Sequence, residues 1–193
     1  MKIDGFKSEA PAQGYPMLPA GCYVAGIKNA KIDGQEPDQQ IVLRLEIIEG
    51  DWAGYYTKRY EHDSTSGGVK LQFPPKYKGD FRIQIPNQAN TRRQHPEWDL
   101  RTLNNSIWCI ESSNPGFRWD GDTDHIGQLI GKTVGINVRE ETYNGNLFTR
   151  IGRLENADNV RQGIAKPMKP RAEKPAPAAD PSGFTPVETE LPF

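Results

Sequence analysis

Residues 41–61 read IVLRLEIIEGDWAGYYTKRYE, and the fold turns on where this stretch alternates and where it bends. Ile41, Leu43, Leu45 and Ile47 share one face while Val42, Arg44, Glu46 and Ile48 share the other, the pattern of a half-buried strand with a wet side. The Gly-bearing EGDWAG turns the chain, and YYTKRYE then reads as the returning strand of a hairpin over 41–61. On this reading Lys58 keeps the face of Tyr56, Lys58 and Tyr60 wet and turns Tyr55 and Thr57 inward.

Upstream, LPAGCYVAGIKNAKI (18–32) is a strand entered through a Pro-Ala-Gly turn. Downstream, residues 62–95 are basic and punctuated by Pro and Gly, with one short strand, DFRIQI (80–85). In PEWDLRTLNNSIWCIESS (96–113), Leu100, Leu103, Ile107 and Ile110 fall on one face of an amphipathic helix expected to dock on the sheet. HIGQLIGK (125–132) is a short helix. KTVGINVREE, TYNGN and LFTRIGRLENA then form a second hairpin whose Asn-Gly is a strong turn signal. Five or so strands with a basic loop and a helix inserted before the last pair make a mainly β fold, a barrel or a sandwich. A five-stranded oligonucleotide-binding barrel has this plan, but the strand pattern alone does not choose it, and the narrower expectation rests on the tail.

The chain has 193 residues, 35% of them hydrophobic, and a mean hydropathy of −0.73, which allows one medium domain with a tail. No apolar run is long enough for a membrane span or a signal peptide, so a cytoplasmic protein is expected. Cys22 and Cys109 have no CxxC partner and read as small buried apolar groups. Composition breaks near residue 162. Seven prolines follow within residues 163–193, so the body is placed at 1–161 and a disordered linker and tip at 162–193. Over residues 1–160 nineteen Lys and Arg face twenty-one Asp and Glu, a net of −2, which weighs against a simple nucleic-acid reading. Residues 67–118 are different, with eight bases against four acids and a net of +4.

No catalytic or cofactor pattern emerges. GQLIGKT (127–133) has three residues between its glycines where a phosphate-cradling loop has four, and it runs into a strand rather than a helix. Asp120, Asp122 and Asp124 have calcium-loop spacing, but His125 stands where the loop needs glycine, so a solvated acidic loop is expected. What stands out is aromatics beside cations. Trp52, Tyr55, Tyr56, Lys58, Arg59 and Tyr60 follow one another, with Arg44 on the preceding strand. Proteins that hold single strands without reading sequence stack bases on rings and lay cations along phosphates. The candidate DNA-binding set is therefore Arg44, Trp52, Tyr56, Lys58, Arg59 and Tyr60, joined by Lys76, Lys78, Arg82, Arg92 and Arg93 of the basic region and by Tyr143 of the last turn. A packed core for half of the rings, and solvated loops for Arg92, Arg93 and Tyr143, are the simpler alternatives.

The ending ETELPF resembles the tail tip of bacterial single-stranded DNA-binding proteins, with Glu188 and Glu190 at the acidic positions, Leu191 at the apolar one, and Pro192 and Phe193 as the terminal pair. That resemblance implies a tip that docks replication, recombination or repair proteins through its ring and carboxylate. The body is similar to a family of phage-encoded proteins in the pieces Leu18 to Tyr23, Leu43 to Gly54 and Gly131 to Asn146. Together the two imply a phage single-stranded DNA-binding protein with an oligonucleotide-binding fold, working in the infected bacterial cell without cofactor or metal. An adaptor that keeps the barrel but acts by protein contacts alone is the second class the residues allow, and self-association stays open.

Overall fold

A computed structural model of the chain describes residues 14–66, 69–87, 89 and 95–171. The elements run β1 (Gly21–Asp33), β2 (Gln40–Ile47), α1 (Tyr55–Asp63), β3 (Thr65–Ser66), β4 (Val69–Lys70), β5 (Asp80–Gln84), α2 (Pro96–Ser112), a 3-10 helix (Thr123–Leu129), β6 (Thr133–Tyr143), β7 (Asn146–Glu155) and α3 (Ala157–Arg161). The fold is mainly β. Five strands form one antiparallel sheet in the order β5-β2-β1-β6-β7, and β3 with β4 forms a separate small ribbon. The sheet is open, with β5 and β7 as its two edges and α2 packed against both.

β1 organises the sheet because it is long enough to serve both sides. Gly21 to Gly26 pair with β6, and Ala25 to Asp33 pair with β2, with the register of the β2 pairing shifting between Ile27 and Asn29. The inward face of β2 is the expected one, since Ile41, Leu43, Leu45 and Ile47 are all buried, and they meet Ile83 of β5 and Val134, Ile136 and Val138 of β6. Asn144 and Gly145 supply the left-handed pair that a two-residue turn between β6 and β7 requires, at φ of 49° and 73°.

Three expectations are corrected. YYTKRYE is helix α1, not a returning strand, and the neighbour of β2 on that side is β5. The same rings satisfy either period, because Tyr55, Tyr56 and Arg59 also line one helical face. The wet side of β2 is only half wet: Arg44 and Ile48 are exposed, but Val42 and Glu46 are buried. In α2, Leu100 is 50% exposed, while Asp99, Ser106, Cys109 and Ile110 form the seated face. Leu103, Ile107 and Ile110 of the expected stripe do pack against the core, so Leu100 alone of the four departs from it. Cys109 is buried as expected, with its thiol pushed up to about 11 by that burial, and Cys22 is half-buried. Among the described residues no helix is long and apolar enough to cross a membrane.

The C-terminal end of α2 is tied to the sheet by Asn114. Its Nδ2 donates to Ile110 O (2.6 Å) and Thr133 O (2.7 Å), and its Oδ1 accepts from Thr133 N (3.0 Å). Ser113 Oγ adds a bond from Ala157 N at 2.9 Å, which ties in α3. Asn114→Ala strands the polar groups of Thr133, and we expect a loss of about 2 kcal/mol, read as a lower urea midpoint with the slope unchanged.

Candidate nucleic-acid interface

Glu46 leaves the outer side of β2 and is 4% exposed beneath the start of α1. Its Oε1 accepts from Ile47 N and Tyr56 N, both at 3.0 Å. Its Oε2 accepts from Thr57 N at 2.7 Å, from Tyr77 OH at 3.0 Å and from Thr57 Oγ1. The residue before α1 is Gly54, which has no side chain to cap the helix, so a carboxylate ten positions upstream of Tyr56 takes over that role. An anion at a helix N-terminus is also favoured by the helix dipole. One buried group thereby fixes β2, α1 and the segment around Tyr77.

A row of rings grows from this node. Trp52 meets Tyr55 edge-on at 5.5 Å, Tyr55 meets Tyr56 at 5.3 Å, Tyr56 meets Tyr77 at 6.2 Å, and Tyr77 meets Tyr60 at 5.8 Å. The inner half is structural. Tyr55 is buried, its hydroxyl donating to Pro16 O (2.9 Å) and accepting from Leu18 N (2.9 Å) and Arg59 Nη1 (3.0 Å). The outer half is half-buried: Tyr60 and Tyr77 lie beside Arg44, whose guanidinium sits 4.7 Å over the Tyr77 ring while its Nε is 3.0 Å from Asp80 Oδ1. Burial pushes the Tyr56 and Tyr77 hydroxyls well above the ordinary tyrosine range, so both stay neutral, and Tyr77 stays a donor to Glu46.

Between α1 and Tyr77 the chain runs through the ribbon β3–β4 and the loop that follows it. Residues 64–79 hold Lys70, Lys76 and Lys78 and not one Asp or Glu. All three lysines are exposed, and none has an ionic partner among the described residues. Phe73 is 84% exposed, and Val69 and Leu71 are exposed beside it. The result is a cationic finger with a bare ring.

The sequence-nominated residues divide accordingly. Arg44 and Tyr60 come together at Tyr77, which Lys76 and Lys78 flank in the chain. Tyr56 is 4% exposed, so it cannot offer a face to a base; the helix turns it inward, where the expected strand turned it out. Trp52 is half-buried against Tyr55, and Lys58 is exposed with its Nζ 3.3 Å from Ala53 O. Arg59 is held by Asp63 at 3.4 Å and by the Tyr55 hydroxyl. Arg82 is exposed but paired at 2.7 Å with Asp33, whose carboxyl that contact holds below its ordinary range. Tyr143 is 66% exposed on the separate β6–β7 turn. Arg92, Arg93 and the tip residues Glu188, Glu190, Leu191, Pro192 and Phe193 lie outside the described residues.

Asp120 is taken by His125 at 2.6 Å, and no group of His, Cys, Asp and Glu among the described residues is arranged to hold a metal ion. Phe73 and Tyr77 were not nominated. Tyr77 stands between two lysines, the same ring-beside-cation pattern as residues 55–60, but the prolines before it hide its place in the fold. The chain matches no family model and no curated protein.

Because Glu46 answers five donors, Glu46→Gln replaces one acceptor oxygen by an amide that faces N–H groups. We expect about 3 kcal/mol of destabilisation, together with loss of α1 ellipticity before the sheet melts, followed by circular dichroism during urea unfolding.

Proposed function

We propose that this protein is a phage single-stranded DNA-binding protein that coats DNA with little sequence preference during replication and recombination in the bacterial cytoplasm. One observation carries the reading: an acid-free, lysine-bearing finger with an exposed Phe73, set beside Tyr60, Tyr77 and Arg44. Rings stack on any base and lysines answer any phosphate, so such a surface favours single strands over paired ones and reads little sequence. The strand order supports an oligonucleotide-binding barrel. A helix follows the third strand of the sheet and lies against both edges, as a partly open Greek-key barrel of five strands would have it. The tail tip, Glu188 to Phe193, is read as the dock for replication or repair proteins, on the strength of its resemblance to the bacterial tail.

A second reading is favoured by the ion pairs. Arg44 and Arg82, the two arginines on the outer face of β2 and β5, are already matched by Asp80 and Asp33. An adaptor that works by protein contacts would need no free cation there.

Titration of fluorescein-labelled oligo-dT by anisotropy separates the two. Salt-dependent binding is expected. Phe73→Ala should weaken it by the ~1 to 3 kcal/mol typical of one stacked base. Lys76→Ala and Lys78→Ala should each flatten the plot of log K against log salt by about 0.7. Absence of binding at low ionic strength would leave only the adaptor. Deleting residues 188–193 should leave oligo-dT affinity unchanged or slightly raised, and should abolish pull-down of a host replication or repair protein. Retained pull-down would end the docking role.

A further inference from the structure

The body does not end at residue 162, where composition places the tail. After α3 the chain turns on Asn159, whose carbonyl accepts from Ile164 N (2.9 Å) and Ala165 N (3.1 Å), and residues 164–171 then run as a strap along β6. Asn137, fully buried, grips the strap as a neighbouring strand would. Its Nδ2 donates to Lys166 O (2.9 Å) and its Oδ1 accepts from Met168 N (3.0 Å). Met168 fills a slot that exists because residue 152 is glycine, since a Cβ there would lie 2.7 Å from Met168 Sδ. Farther on, Arg171 N donates to Glu140 O at 2.8 Å, and Arg171 bridges Glu141 as a parallel neighbour of β6. Fixing this segment costs backbone entropy at every residue that is not proline. The strap therefore needs a reason beyond connection.

What it adds is charge. Lys166, Lys169 and Arg171 join Arg139, Arg150 and Arg153, which share one sheet face because residues paired across antiparallel strands point the same way. Among the described residues of that face, Glu141 and Glu155 are the acids. Glu141 takes Arg139 and Glu155 takes Arg153, both at 2.6 Å, and Arg171 of the strap shares Glu141 at 4.0 Å, which leaves Lys166, Lys169 and Arg150 unmatched among the described residues. Arg150 lies directly across from Arg139 and has no ionic partner among the described residues, an arrangement that costs stability in the free protein. Phe148 stands across from Glu141 on the same face and is 37% exposed, and Tyr143 at the turn is 66% exposed. Surplus cations next to bare rings match a chain of phosphates that carries bases.

We propose that the strap is a working component of a second polyanion site, in which Lys166, Lys169 and Arg171 complete the outer face of β6 and β7 and single-stranded DNA runs across it toward Tyr143 and Phe148. This rests on the single-strand reading above and adds a place and a component to it. The test titrates labelled oligo-dT, at several salt concentrations, into three full-length proteins: wild type, the triple variant Lys166→Ala, Lys169→Ala, Arg171→Ala, and Asn137→Ala. The triple variant removes the charges and keeps the backbone fastening; Asn137→Ala keeps every charge and unfastens the strap. The triple variant should bind roughly tenfold more weakly, with a salt slope smaller by about 2. Asn137→Ala should lose part of that affinity, and its Met168 amide should exchange hydrogen faster. If wild type binds and both variants match it in affinity and slope, the strap is not part of the site and the single-strand reading stands. If wild type does not bind oligo-dT, both proposals fall together.

Discussion

The carboxylate of Glu46 is the constraint on which the candidate surface depends. Five donors converge on it from β2, from the start of α1 and from the loop around Tyr77, the last of them 31 residues away along the chain. A buried carboxyl group with this many partners is tolerable because both its oxygens are used, and it is exacting because neither can be withdrawn without stranding a donor. It decides that residues 55–63 coil, which side of that helix faces the sheet, and where the segment around Tyr77 is pinned. The exposed rings and lysines farther out inherit their positions from a side chain that no ligand would touch.

The sheet was largely legible in the residues, and the site much less so. Strict alternation of Ile41, Leu43, Leu45 and Ile47, and an Asn-Gly turn between two β-prone runs, are local signals with one physical outcome each. α1 was not legible, since its cap comes from another strand, and the tyrosine spacing suits a period of 2 as readily as one of 3.6. Burial of Tyr56 followed from that same reversal. Phe73 was missed because exposure is a property of what fails to cover a residue, which the flanking prolines do not disclose. The strap was missed for a related reason. Pro-rich composition reports the lack of a core, yet an extended segment can be held by an amide side chain and two backbone bonds without one.

The basic residues fall into two kinds once their neighbours are known. Arg44, Arg59, Arg82 and Arg118 each have a carboxylate within 3.4 Å and serve partly to hold elements together. Lys70, Lys76, Lys78 and Arg150 have no such partner among the described residues. A near-neutral chain can therefore present locally uncompensated charge, because its acids are spent on arginines. The formal balance of −1 over the whole sequence hides this division.

The cross-strand facing of Arg139 and Arg150 bears on how the protein can change. Selection for a sturdier sheet would replace Arg150 with an acid or a neutral β-former and relieve the repulsion at once. Selection for grip on an anionic chain would hold the arginine in place. Stability and affinity thus pull this one position in opposite directions, and variants recovered only for thermal tolerance should drift away from arginine there first.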